Sequence, residues 1–108
     1  MNHDIENRPP LPFGTPTIEV GVPGPRKDEG LLLRAPSSEE LAWDLGAEIV
    51  SARLIWMEDR QAWWIAASYL ETVVSIVLRS FPSVLVLGIE EDRLLSRDGL
   101  RAVQGRLL

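Results

Sequence analysis

Proline placement decides where this chain can be helical. Seven of its eight prolines lie at or before position 36: Pro9, Pro10, Pro12, Pro16, Pro23, Pro25 and Pro36. Each removes a backbone donor and obstructs a helix interior. Gly14, Gly21, Gly24 and Gly30 add to the entropy cost of ordering the same stretch. Residues 1–36 are therefore expected to be an extended, flexible arm, and residues 37–108 the folded domain. Two apolar pieces interrupt the arm. Thr17-Ile18-Glu19-Val20-Gly21-Val22 alternates, which puts Ile18, Val20 and Val22 on one side of a strand. Gly30-Leu31-Leu32-Leu33-Arg34-Ala35 is a second apolar run, stopped by Pro36. Such pieces either pack on the domain or add to a partner's surface. Ile18, Val20 and Val22 are thus candidate interface residues.

Beyond Pro36 the signals turn helical. Ser37 with Glu40 three residues later has the form of a capping box. Leu41, Leu45, Ile49, Ala52 and Trp56 then recur at helical steps, opposite Glu40, Asp44, Glu48 and Ser51. Gly46 weakens this helix by about 1 kcal/mol relative to alanine. Glu58-Asp59-Arg60-Gln61 breaks the apolar stripe and predicts a turn. Ala62 to Leu78 is apolar on most sides, as in a helix buried by its surroundings, and Phe81-Pro82 ends it. The expected fold is mainly α: a helical hairpin of residues 38–57 and 61–80, a short apolar segment at 83–89, and a short C-terminal amphipathic helix marked by Leu100, Val103 and Leu107. The alternative is α+β. Residues 49–57 and 62–69 are rich in Ile, Val and Trp, and the gap between them can close a β-hairpin. Residues 17–22 and 83–89 would then complete a small sheet.

Composition narrows the chemistry. The net charge is −5, and Lys27 is the only lysine. Phosphate backbones repel such a chain, so no nucleic-acid partner is expected. Arg93, Arg97, Arg101 and Arg106 are spaced to line one side of a helix near its C-terminus, where cations suit the dipole. Cysteine is absent, which excludes disulfides and thiolate chemistry. The only histidine, His3, sits in the arm, so the usual general base is missing from the domain. No Gly-rich phosphate loop and no calcium loop is present, Glu90-Glu91-Asp92 reads as a solvated face, and no cofactor or metal is expected. The N-terminus lacks a basic start with an apolar run, so a cytoplasmic location is the expectation. The 17 residues from Ala62 to Leu78 are short for a membrane span, and Glu71 interrupts them.

Glu71 is the weak catalytic candidate, as an acid or base in a narrow polar strip between apolar walls. A single carboxylate is not an active site, so an enzyme is the less favoured reading. The tryptophans carry more weight. Trp43, Trp56, Trp63 and Trp64 fall within 22 positions, and tryptophan is favoured at binding hot spots. On one helix Trp43 and Trp56 would point about 140° apart, so at least one lies off the core. Together with Tyr69 they are the candidate interface of a protein-binding module or accessory subunit. It would self-associate or dock on a larger complex through its apolar, tryptophan-rich helix. A small enzyme using Glu71, or a membrane-peripheral protein, are the alternatives.

Overall fold

The computed structural model describes residues 14–88 and 92–97. It corrects the mainly helical expectation. The described residues form a mixed six-stranded sheet with two α-helices, which is the α+β alternative. Strands β1 (Thr17–Pro23) and β2 (Glu29–Arg34) come first, followed by helix α1 (Glu39–Glu48). Strands β3 (Leu54–Met57) and β4 (Ala62–Ala66), helix α2 (Leu70–Ser80), and strands β5 (Ser83–Leu87) and β6 (Arg93–Ser96) complete it. The spatial order is β3-β4-β2-β1-β5-β6. Only β1 and β5 pair in parallel; the other four pairings are antiparallel.

The two helices lie on one face for a topological reason. These pairings make β2 parallel to β3 and β4 parallel to β5, so β2-α1-β3 and β4-α2-β5 are both crossovers. They start on antiparallel neighbours and move in opposite directions across the sheet. A single crossover hand then places both helices on the same side. That face holds the main core: Leu41, Leu45 and Ile49 from α1 and its cap, Val73, Val74, Ile76, Val77 and Leu78 from α2, over Ile18, Leu31, Leu33, Ile65, Val84 and Val86. Arg79 on α2 ties the helices together through Glu48 and, at 4.0 Å, Asp44.

Part of the expected 36-residue arm is in the sheet: β1 and β2 are the two central strands, while residues 1–13 of the arm lie outside the described residues. Leu31, Leu32 and Leu33 are buried on alternating faces, as an apolar run in an inner strand should be. Four of the seven prolines that suggested a loose arm are described, and they sit at the margins. Pro16 precedes β1, Pro23 ends it, Pro25 lies in the turn, and Pro36 follows β2. Proline is tolerated there because no inner-ladder donor is lost. The simple alternation of residues 17–22 also breaks. A β-bulge between Val20 and Val22, with Gly21 at φ 82°, flips the pattern. Ile18 and Val20 face the helices, while Val22 faces the opposite side.

The helical hairpin dissolves for a similar reason. The first helix is real but shorter. Its N-cap is Ser38, which accepts from the Leu41 amide at 3.2 Å, not Ser37 with a reciprocal Glu40. It ends at Glu48, and a 3₁₀ turn (Ser51–Arg53) leads into β3. In the second, residues 62–66 are strand, Ala67–Tyr69 is a 3₁₀ turn, and only Leu70–Ser80 is α-helix. The arginine stripe fails in its described part. Arg93 lies in β6, and Arg97 closes the end of α2, donating from Nε to the Leu78 carbonyl at 2.7 Å and from its guanidinium to Phe81 O at 3.2 Å. Residues 89–91, which include most of the Glu90-Glu91-Asp92 cluster, lie outside the described residues, as does the expected helix around Leu100, Val103 and Leu107. Among the described residues no helix is long and apolar enough to cross a membrane.

Candidate functional site

The four tryptophans separate into different roles once the hairpin is a β-hairpin. Trp56 and Trp63 are direct cross-strand partners flanking the Glu58–Gln61 turn. Their rings meet edge to face, with centroids 5.1 Å apart and planes at 67°, an arrangement worth about 0.5–1.5 kcal/mol beyond area burial. Trp63 also stands beside Leu33 of β2 on the helix-covered side. At the β3 end of the sheet α1 does not close over this pair. A groove of about 450 Å³ remains between the start of α1, the Ala35–Ser38 connection and the hairpin. Trp56 and Trp63 form its aromatic wall, Leu33, Pro36 and Leu41 are among its other apolar residues, and Ser37 and Gln61 supply polar groups. Trp56 is 42 % exposed at the lip.

The rim is fixed by hydrogen bonds in the turn. Gln61 takes a positive φ of 50°, which closes the turn. Its side-chain amide donates to the Glu58 backbone carbonyl and to Glu58 Oε2, both at 2.9 Å. Trp56 Nε1 donates to Glu58 Oε1 at 2.8 Å. The bond from Trp56, then that from Gln61, holds the Glu58 carboxyl below the ordinary glutamate pKa, against a small opposing desolvation. A depressed folded-state value stabilises the turn above the unfolded-state pKa, and that contribution is lost as pH falls through the folded value. The Trp56 indole N–H resonance is therefore expected to titrate with a midpoint below that of an ordinary glutamate, and to lose this step in Glu58→Gln. A midpoint at or above the ordinary value would contradict the arrangement.

The other candidates fall elsewhere. Trp64 points to the opposite face, 2 % exposed, where it packs with Val22, Leu32, Ala62 and Ala66 and donates from Nε1 to the Val22 carbonyl at 3.0 Å. It is a core residue. Tyr69 is half-buried in the turn before α2 and touches both clusters. Ile18 is fully buried, Val20 packs against the main core, and Val22 belongs to the Trp64 cluster. None of the three presents a free strand face. Trp43 is 78 % exposed on the outer side of α1 beside Ala42, Gly46 and Ala47. Glu71 is exposed in the first turn of α2 and lines none of the described cavities. The polar strip between apolar walls that suggested a buried acid is thus not formed around it.

The groove carries no titratable side chain in its lining, so the lining itself supplies no general acid or base. Among the described residues no cluster of three metal-ligating side chains occurs. What the groove offers is aromatic surface, apolar walls and neutral hydrogen-bonding groups. Comparison with family models, with curated proteins and with solved structures finds no match to this chain. Sequence reasoning missed Leu33, Ala35 and Pro36 as companions of the tryptophans. The usable signal was the symmetric placement of Trp56 and Trp63 about a four-residue polar gap, which pairs them only in a β-hairpin.

Proposed function

We propose that this chain is a protein-interaction module that receives an extended segment of a partner protein in the groove between α1 and the β3–β4 hairpin. The observation that carries this is Trp56, exposed at the lip, packed edge to face on Trp63, and facing Leu33 and Pro36 across a cavity with no charged side chain in its lining. Its volume lies within the range of roughly 300–1,000 Å³ usual for ligand pockets. Exposed tryptophan in an apolar recess is the composition of a binding hot spot. A neutral lining favours a partner that brings apolar side chains and backbone polar groups.

Docking through an apolar, tryptophan-rich helix is set aside. Trp63 and Trp64 stand on a strand, and the apolar side of α2 is buried against the chain's own sheet. The need for a second copy to cover residues 62–78 therefore disappears, and docking in a larger complex is the favoured form of the reading. The test is selection of twelve-residue peptides from a displayed random library on the whole chain. Extended, apolar or proline-bearing sequences are expected, and their capture should be lost on Trp56→Ala and kept on Trp43→Ala and Glu71→Gln. Equal recovery on Trp56→Ala, or no enrichment at all, would overturn the reading.

A further inference from the structure

We infer that the groove takes a methylated lysine of the partner segment, with its quaternary ammonium seated in the corner between Trp56 and Trp63. The inference rests on the peptide-binding reading above and names the side chain that anchors the segment.

The first support is shape. The two indoles stand at 67° with centroids 5.1 Å apart, and both line the groove. Their faces therefore make a corner rather than a slot. A cation is attracted to an indole face when it lies within about 6 Å of the ring centroid. At this spacing one group in the corner lies within that range of both rings. A guanidinium is flat and stacks on a single face. A tetrahedral trimethylammonium presents methyl groups to two faces at once.

The neutral lining decides between a methylated and a bare ammonium. An unmodified lysine brings three N–H donors and is strongly hydrated. Left without partners in a recess, such donors are costly. The lining holds no carboxylate to accept them. Glu58, bonded to the Trp56 ring, has both oxygens engaged: Oε1 by Trp56 Nε1 at 2.8 Å and Oε2 by Gln61 Nε2 at 2.9 Å. Trimethylation keeps the charge of lysine and removes all three donors. What remains is apolar surface that carries a positive charge.

Charge complementarity gives the sign. The Trp56 N–H donates to the Glu58 carboxylate, which polarises the indole and makes its face more negative. The same bonds hold the Glu58 carboxyl below the ordinary glutamate pKa, so it is charged at neutral pH. In the two segments that frame the groove, 35–40 and 58–61, Glu39, Glu40, Glu58 and Asp59 stand against Arg60 alone. The positive end of α1 also reaches the groove, but Glu39 and Glu40 in its first turn offset it. An anionic anchor would be repelled by this arrangement, and a neutral one would gain nothing from it.

Random peptide libraries are synthesised with the central residue fixed as trimethyl-lysine, lysine, arginine or a neutral isostere in which a tert-butyl group replaces the trimethylammonium. The whole chain is offered to all four. The sequence best captured from the trimethyl-lysine library is remade in the four forms and titrated, with the tryptophan indole N–H resonances as the readout. The trimethylated form is expected to bind at least about tenfold tighter than the other three, as a desolvated cation–π contact allows. It should move Trp56 and Trp63 but not Trp43 or Trp64. Glu58→Gln keeps an acceptor for the Trp56 N–H; it should weaken the trimethylated form at least about twofold at low salt and leave the tert-butyl form unchanged. Equal affinity for the tert-butyl form, a preference for lysine or arginine, or no capture from the trimethyl-lysine library would each overturn the inference. Peptides from the displayed library that bind through Trp56, while trimethyl-lysine brings no gain, leave the groove as a binding site and remove this anchor alone. Failure of both selections removes the groove itself.

Discussion

Replacing Trp64 with alanine is expected to lower the unfolding free energy by about 3–5 kcal/mol, as for other aromatic truncations in cores. Small domains have only about 5–15 kcal/mol in total, so this variant should be close to unfolding at physiological temperature. Trp64 sits at 2 % exposure on the helix-free face. Its indole is the donor for the Val22 carbonyl at 3.0 Å, beside the bulge at Gly21, and that buried acceptor would lose its partner. The chain has been built around the ring. A Cβ at Gly24 would fall 2.4 Å from one Trp64 carbon, and its three nearest atoms all belong to Trp64. A Cβ at Gly30 would meet Trp64 at 2.5 Å and the Ile65 carbonyl oxygen at 2.6 Å.

This geometry gives the prediction a sharp form. Gly24→Ala should cost about 1–3 kcal/mol in the natural background, as overpacking does, and close to nothing in Trp64→Ala. Gly30→Ala should remain costly in both, because the Ile65 backbone does not move away with the indole. Urea unfolding followed by circular dichroism measures the natural chain and the five variants. Additive costs for Gly24→Ala and Trp64→Ala would show that the turn does not close over this ring.

Trp56→Ala should act in the opposite way: small on stability, large on binding. Its ring is 42 % exposed and its hydrogen bond to Glu58 lies at the surface. The fold keeps Trp63 against Leu33 without it. A hot-spot tryptophan contributes about 2 kcal/mol or more to binding, so the affinity for a selected peptide should fall at least about thirtyfold. Trp63→Ala should weaken binding comparably but also destabilise, since that ring packs on the main core. Trp43→Ala should change the affinity by less than twofold although Trp43 is the more exposed ring at 78 %. Exposure alone would rank the two tryptophans the other way, so their order separates a shaped groove from general stickiness. Isothermal calorimetry on the three variants decides it.

Much of the local structure was legible in the sequence where one signal acted alone. Alternation at Thr17–Val20 marks β1, serine followed by acidic residues marks the start of α1 to within one residue, and Phe81-Pro82 marks the end of α2. The errors came where two signals overlapped. Strand β4 is buried on both faces, Trp63 and Ile65 towards the helices and Ala62, Trp64 and Ala66 away from them. A strand buried on both sides has no alternation, so its apolar run merges with that of α2 into what reads as one long helix. Ile49 and Trp56 fit a helical step but belong to the cap of α1 and to β3. Proline density misled over residues 16–36 because Pro16, Pro23 and Pro36 fall at strand ends, which composition does not reveal. The tryptophan spacing required at least one ring off the core, and Trp43 and Trp56 are exposed. That spacing could not say that Trp56 and Trp63 face each other while Trp64 turns inward, since that follows from strand register.

The most direct test of the groove as the binding surface is the set of four indole N–H resonances, assigned by single Trp→Phe substitutions and followed while a selected peptide is added. Trp56 and Trp63 are expected to shift together and saturate at one affinity, while Trp64 and Trp43 stay within line width. Shifts confined to Trp43, or equal shifts at all four tryptophans, would contradict it.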